Sequence, residues 1–94
     1  MPFFVYILRC RDGSYYTGHT DDLDRRMAQH GDGTASAYTF KRRPVELLWA
    51  TDCQSRDEAF WLEKRIQGWS RAKKEALMRG DFAALPALSR SSGR

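Results

Sequence analysis

The 94-residue chain is 41% apolar, enough for one domain with a single modest core. No apolar run reaches the ~20 residues of a membrane span, and Met1-Pro2-Phe3 lacks the basic and apolar regions of a signal peptide, so a cytoplasmic protein without membrane contact is expected. The net charge is +4 and its placement is uneven: residues 1–31 balance four basic against four acidic side chains, and the excess lies in Lys41-Arg42-Arg43 and in Lys64, Arg65, Arg71, Lys73 and Lys74. Such a surface suits phosphate backbones, although on charge alone a merely solvated basic face is equally open. Cys10 and Cys53 show no zinc-ligand spacing with His19 and His30; as strand-end residues they read as reduced core thiols.

The first elements are two apolar, β-rich runs, Val5 to Leu8 and Tyr15 to Thr17, separated by the turn residues Arg11-Asp12-Gly13. A three-residue loop with left-handed Gly13 in a bulge position would set Leu8 opposite Tyr16 and Tyr6 opposite Gly18. Tyr6 and Tyr16 then share a sheet face, whereas a two-residue loop would put them on opposite faces. Thr20 or Asp21 is a suitable cap for a helix in which Leu23, Arg26, Met27 and His30 form one stripe. Gly31 to Thr39 has loop composition, and Tyr38 and Phe40 precede Lys41-Arg42-Arg43, an arrangement equally suited to stacking bases or to pinning a loop. Val45 to Thr51 reads as a third strand, apolar enough to be covered on both faces. Ser55-Arg56-Asp57-Glu58 is a capping box that opens a helix to Gln67 or Gly68. Ala59, Leu62 and Ile66 are its buried stripe, and Glu63 falls among them, where a carboxylate needs a partner. A metal or a cationic side chain is the usual answer, and Arg26 across the sheet is the expected structural partner when no metal is bound. Ser70 restarts a helix through Met78 that Gly80 ends, and Phe82, Leu85 and Leu88 suggest a last packed turn around Pro86. The domain is thus expected over residues 1–88, with a disordered tail at 89–94.

Phe4-Val5-Tyr6, Tyr16-Thr17-Gly18, Arg26, His30 and Glu63, in that order and spacing, resemble the GIY-YIG nuclease family and within it the small stand-alone bacterial proteins. Phe4, Val5 and Thr17 depart from the family's motif letters, and His19 stands where excision-repair relatives often carry a phosphate-binding lysine. The resemblance implies a small α/β domain with a three-stranded antiparallel sheet flanked by helices. It implies hydrolysis of DNA phosphodiester bonds with one Mg²⁺ or Mn²⁺ at Glu63. Arg26 would grip the scissile phosphate, Tyr6 with Tyr16 would serve as base or water-positioning group, and His30 would relay a proton or hold water. Gly18, His19, Tyr38, Lys41, Arg42, Arg43, Arg71, Lys73 and Lys74 are the expected nucleic-acid contacts. The expected substrate is duplex, nicked or branched DNA, with RNA not excluded, for a monomer or weak homodimer that a protein partner would target. A catalytically silent binding module and a protein-interaction subunit of a repair complex remain the alternatives.

Overall fold

The computed structural model describes residues 2–81, so the expected packed turn at Phe82, Leu85 and Leu88 and the tail at 89–94 lie outside the described residues. Strands β1 (Phe3–Arg9) and β2 (Tyr15–Thr20) are followed by helices α1 (Leu23–Asp32) and α2 (Ala37–Phe40). Strand β3 (Glu46–Cys53) and helices α3 (Arg56–Gln67) and α4 (Arg71–Arg79) complete the order. The three strands form one antiparallel sheet in the order β2-β1-β3. Among the described residues no helix is long and apolar enough to cross a membrane.

The hairpin has the register expected from its turn: Leu8 faces Tyr16 and Tyr6 faces Gly18. The Gly13 amide donates to the Cys10 carbonyl at 2.9 Å, the Cys10 amide donates to Ser14 at 2.8 Å, and Gly13 has φ 86°. Space around Gly13 is open, so its backbone angle alone calls for glycine there. The Asp12 carboxylate accepts from the amide and hydroxyl of Ser14 and fastens the turn from within.

The central position of β1 corrects one expectation. Val5, Tyr6, Ile7 and Leu8 are fully buried, whereas β3, expected to be covered on both faces, is an edge strand with Leu47 exposed. Both runs are apolar, but only β1 has a neighbour on each side. The β1–β3 ladder slips by one residue between Ile7 and Leu8, so Ile7 faces Trp49 and Leu8 faces Leu47. Cys53 pairs with Phe3 while Cys10 lies beyond Arg9, so the two buried free thiols sit at opposite ends of the sheet.

The helix caps are local and mostly legible. Ser55 accepts from the Glu58 amide, Ser70 from the Lys73 amide, and Gly80 closes α4 at φ 76°. At α1 the cap is Asp22, because the Thr20 hydroxyl is taken up by the Asp22 amide, displacing the expected start by a residue or two. The expected loop over Gly31–Thr39 is shorter than it reads: α1 continues to Asp32, and Ser36 caps the single turn of α2.

The sheet has two dissimilar faces. On one, Val5 and Ile7 pack with Cys53, Ala59, Ile66 and Leu77 into the apolar core beneath α3 and α4. On the other, Tyr6 and Tyr16 meet His30 of α1 and Tyr38 of α2. The strand that both groups share is β1, whose alternate side chains point to the two faces.

Candidate active site

Sheet alternation puts Tyr6 and Tyr16 on one face, with ring centroids 6.5 Å apart. The Tyr6 phenol lies directly across Gly18. A Cβ on that glycine would sit 2.6 Å from the Tyr6 hydroxyl oxygen, so the absent side chain is what makes room for the phenol. His30 projects from α1 into the same space and packs edge-on against both rings, 5.6 Å from Tyr6 and 5.4 Å from Tyr16. Tyr38 of α2 then stacks on the outer side of Tyr16 at 5.8 Å.

A directed chain of hydrogen bonds runs through this cluster. The Thr39 hydroxyl donates to the Ser36 carbonyl at 3.3 Å, which leaves its oxygen free to accept from His30 Nδ1 at 2.9 Å. With Nδ1 carrying the proton, His30 Nε2 is the acceptor, and the Tyr6 hydroxyl donates to it at 2.8 Å. Burial pulls the His30 imidazole below its ordinary pKa, and the charge of Arg26 adds to this, so the ring is neutral and suited to accept. Burial also pushes the Tyr6 phenol well up; Tyr16 adds to the rise, Arg26 pulls down by charge and hydrogen bond, and Glu63 raises it slightly. Desolvation wins over the favourable cation. Tyr6 therefore rests as a neutral phenol hydrogen-bonded to a neutral imidazole.

Glu63 reaches the β2 edge from the opposite face. It is 8% exposed, and its partners differ from the expected Arg26. His19 Nδ1 lies 2.5 Å from Oε1, and Gln67 Nε2 donates to Oε2 at 2.7 Å while also reaching the Thr17 carbonyl. Lys64 Nζ is 3.9 Å from Oε2. An ionised carboxylate only accepts, so His19 must donate to it from Nδ1. Helix spacing explains Gln67, which follows Glu63 by one turn. Each oxygen of Glu63 keeps an unused lone pair. Among the described residues no three His, Cys, Asp or Glu side chains gather as metal ligands. Glu63 is a hard oxygen donor, and a divalent cation held by it would take its other positions from waters and phosphate oxygens.

The basic side chains expected to meet nucleic acid divide by what already engages them. Arg42 lies 3.8 Å over the Tyr38 ring, pairs with Asp12 at 3.0 Å and donates to the Tyr38 carbonyl. Arg43 covers Phe40 and donates to the carbonyls of Phe40 and Gly31. Arg71 lies over Tyr15, pairs with Glu75 and donates to the Gly13 carbonyl, which braces the hairpin turn. Lys73 is buried with its ammonium 4.0 Å over the Trp69 ring. Lys41 is exposed; Lys74 is half-buried, and burial followed by the charge of Arg71 lowers its pKa. Thr39 and Gln67 are the site residues that sequence reasoning missed. Gln67 had a signal, the i+4 spacing from Glu63. Thr39 had none, because its contact depends on how the α2 turn folds back over α1.

The GIY-YIG catalytic domain family matches the chain over residues 2–76. The chain is similar to the UPF0213 protein of Halobacterium salinarum, 48% identical over 73 residues that cover 78% of this chain and 95% of the relative. A solution NMR structure of the UPF0213 protein from Bacillus halodurans superposes with a TM-score of 0.55 at 43% identity, covering 84% of each chain. A second NMR structure, of a protein from E. faecalis, gives 0.61 at 33% identity over 88% of each chain.

Proposed function

The chain belongs to the GIY-YIG family, and from its site we infer that it is a divalent-metal-dependent endonuclease. It hydrolyses phosphodiester bonds in DNA, and branched, nicked or damaged structure directs it rather than base sequence. DNA repair or processing is the context such a substrate implies. The observation that carries this reading is the buried Thr39–His30–Tyr6 chain, which ends in a phenol under the influence of both Arg26 and Glu63.

Hydrolysis requires that the attacking water lose a proton, that phosphate charge be neutralised, and that the leaving oxygen be stabilised. Arg26 holds the scissile phosphate through its planar donor fork, beside the Tyr6 oxygen its charge already reaches. The Tyr6 oxygen accepts the water proton while its own proton passes to His30 Nε2, and Thr39 holds the resulting imidazolium at Nδ1. Burial and Arg26 both oppose that cation, so the transfer belongs to the moment when a bound phosphate offsets Arg26. Tyr16, itself backed by Tyr38, packs against the imidazole and keeps its plane fixed. Glu63 would hold one Mg²⁺ or Mn²⁺, which when bound supplies polarisation of the phosphate and stabilisation of the leaving oxygen.

One observation favours a second reading, DNA binding without cleavage: His19 and Gln67 already occupy both oxygens of Glu63. Nicking of supercoiled DNA in Mg²⁺ and in Mn²⁺, by the wild type and Glu63→Gln, separates the two. The nuclease reading expects metal-dependent nicking that the variant loses while DNA binding persists. The glutamine carbonyl oxygen can accept from Gln67 and its NH2 can donate to His19 once that ring carries its proton on Nε2, so the variant should lose only about 1 kcal/mol of stability. Binding without nicking by the wild type, or undiminished nicking by the variant, would favour the second reading or end the metal assignment.

A further inference from the structure

Phe60 and Trp61 stand side by side on α3, 40% and 66% exposed, with ring centroids 5.3 Å apart. The Phe60 ring meets the His19 ring edge-on at 6.2 Å, and His19 is hydrogen-bonded to Glu63. This aromatic ledge therefore begins one side chain away from the candidate metal ligand. A helical turn further on, the Lys64 ammonium lies 5.3 Å from the Phe60 centroid. Arg65, one turn from Trp61, lines with it, Glu58 and Leu62 a groove of about 350 Å³. Each aromatic is thus followed at i+4 by a cation on its own side of the helix. Neither ring takes part in the proton relay, and both keep much of their surface in water.

We propose that Phe60 and Trp61 form a stacking site for an unpaired nucleobase next to the scissile phosphate, with Lys64 and Arg65 holding the adjoining phosphates. This rests on the nuclease reading and adds its substrate class: strands with at least one unstacked base, as in single strands, flaps and gaps, in preference to continuous duplex. A base inside a duplex has both faces covered, whereas an unpaired base can lay its face on an aromatic ring. Because every base has such a face, the preference is for structure and not for sequence. The two flanking cations argue for a polyanion. An apolar protein surface placed there would take the charges of Lys64 and Arg65 out of water at a desolvation cost.

The test measures binding without added metal, so that cleavage plays no part. Labelled single-stranded DNA and a blunt duplex of equal length are titrated with wild type, with Phe60→Ala/Trp61→Ala, and with the conservative pair Phe60→Tyr/Trp61→Phe. The expected result is a loss of about tenfold or more on single strands for the alanine pair, retained affinity for the conservative pair, and nearly unchanged duplex binding in all three. Single-stranded DNA should also quench tryptophan emission in the wild type, and Trp61→Phe should remove that component. Equal losses on both probes, or undiminished single-strand binding by the alanine pair, would overturn the stacking site and leave the nuclease reading intact. No binding of either probe by the wild type would overturn the nucleic-acid reading itself.

Discussion

Replacing Thr39 by valine tests the proton relay at its least obvious member. Thr39 and His30 are both fully buried, and the hydroxyl is the acceptor that keeps the imidazole proton on Nδ1. Valine has nearly the same shape and no hydroxyl. If the tautomer stays, a buried N–H is left unpaired, at a cost of about 1–3 kcal/mol. For a domain of this size each kcal/mol lowers Tm by roughly 4–8 °C. If the proton instead moves to Nε2, stability recovers, but Nε2 then donates to Tyr6 and can no longer accept from it. Either way the general-base function suffers, and nicking should fall by roughly 10²–10⁴-fold. Thr39→Ser, which keeps the hydroxyl, should retain the relay. The assays are nicking rates, thermal melting and ¹⁵N shifts of His30, which report the tautomer directly. Wild-type nicking by Thr39→Val with the tautomer reversed would refute the relay, and so would a Thr39→Ser variant as inactive as Thr39→Val.

Gly18→Ala should leave the circular dichroism spectrum unchanged yet reduce nicking by at least about a hundredfold, since the new Cβ displaces the Tyr6 hydroxyl from His30. His30 is held neutral by burial, so its folded pKa lies below the ordinary value of 6.5. The unfolded chain therefore binds the extra proton first as pH falls, and the stability present above pH 6.5 is lost progressively below it, with a slope of up to about 1.4 kcal/mol per pH unit. His30→Gln should flatten that part of the stability profile in denaturant melts, and wild-type nicking should fall only at lower pH, as the folded imidazole itself protonates; an unchanged slope would show that His30 is not buried neutral. Lys73→Ala should lower Tm through lost packing on Trp69 while leaving the salt dependence of DNA binding unchanged. A shallower salt slope for that variant would return Lys73 to the phosphate contacts.

The residues that made the family resemblance legible are those whose constraints are local or motif-like. Asp12-Gly13 demanded a turn with a positive φ, and that turn alone fixed the register that brings Tyr6 and Tyr16 to one face. Ser55, Ser70 and Gly80 announced their helix ends because a cap satisfies backbone groups only three or four residues away. Glu63 announced a buried carboxylate because it falls on an apolar stripe, and it is buried.

What the sequence left open depends on neighbours distant along the chain. Two apolar runs, Val5–Leu8 and the one in β3, look alike residue by residue; pairing on both sides buries the first, and the lack of a second neighbour exposes the other. His19 meets Glu63 across 44 positions, and Tyr6 meets His30 across 24. No periodicity encodes such contacts, and charge alone suggested Arg26 as the partner of Glu63. The helix α3 crosses β2 so that Glu63 comes beside His19, while Arg26 on α1 approaches from the opposite face and acts on Tyr6. Turn chemistry, capping and hydrophobic period are settled within a few residues of chain, so the sequence by itself determined the hairpin register and the main strands and helices, though not the short turn of α2. Which donor a buried acid or imidazole receives is settled by how those elements pack, because a hydrogen bond acts only over about 3 Å and must be supplied by whatever the fold brings there.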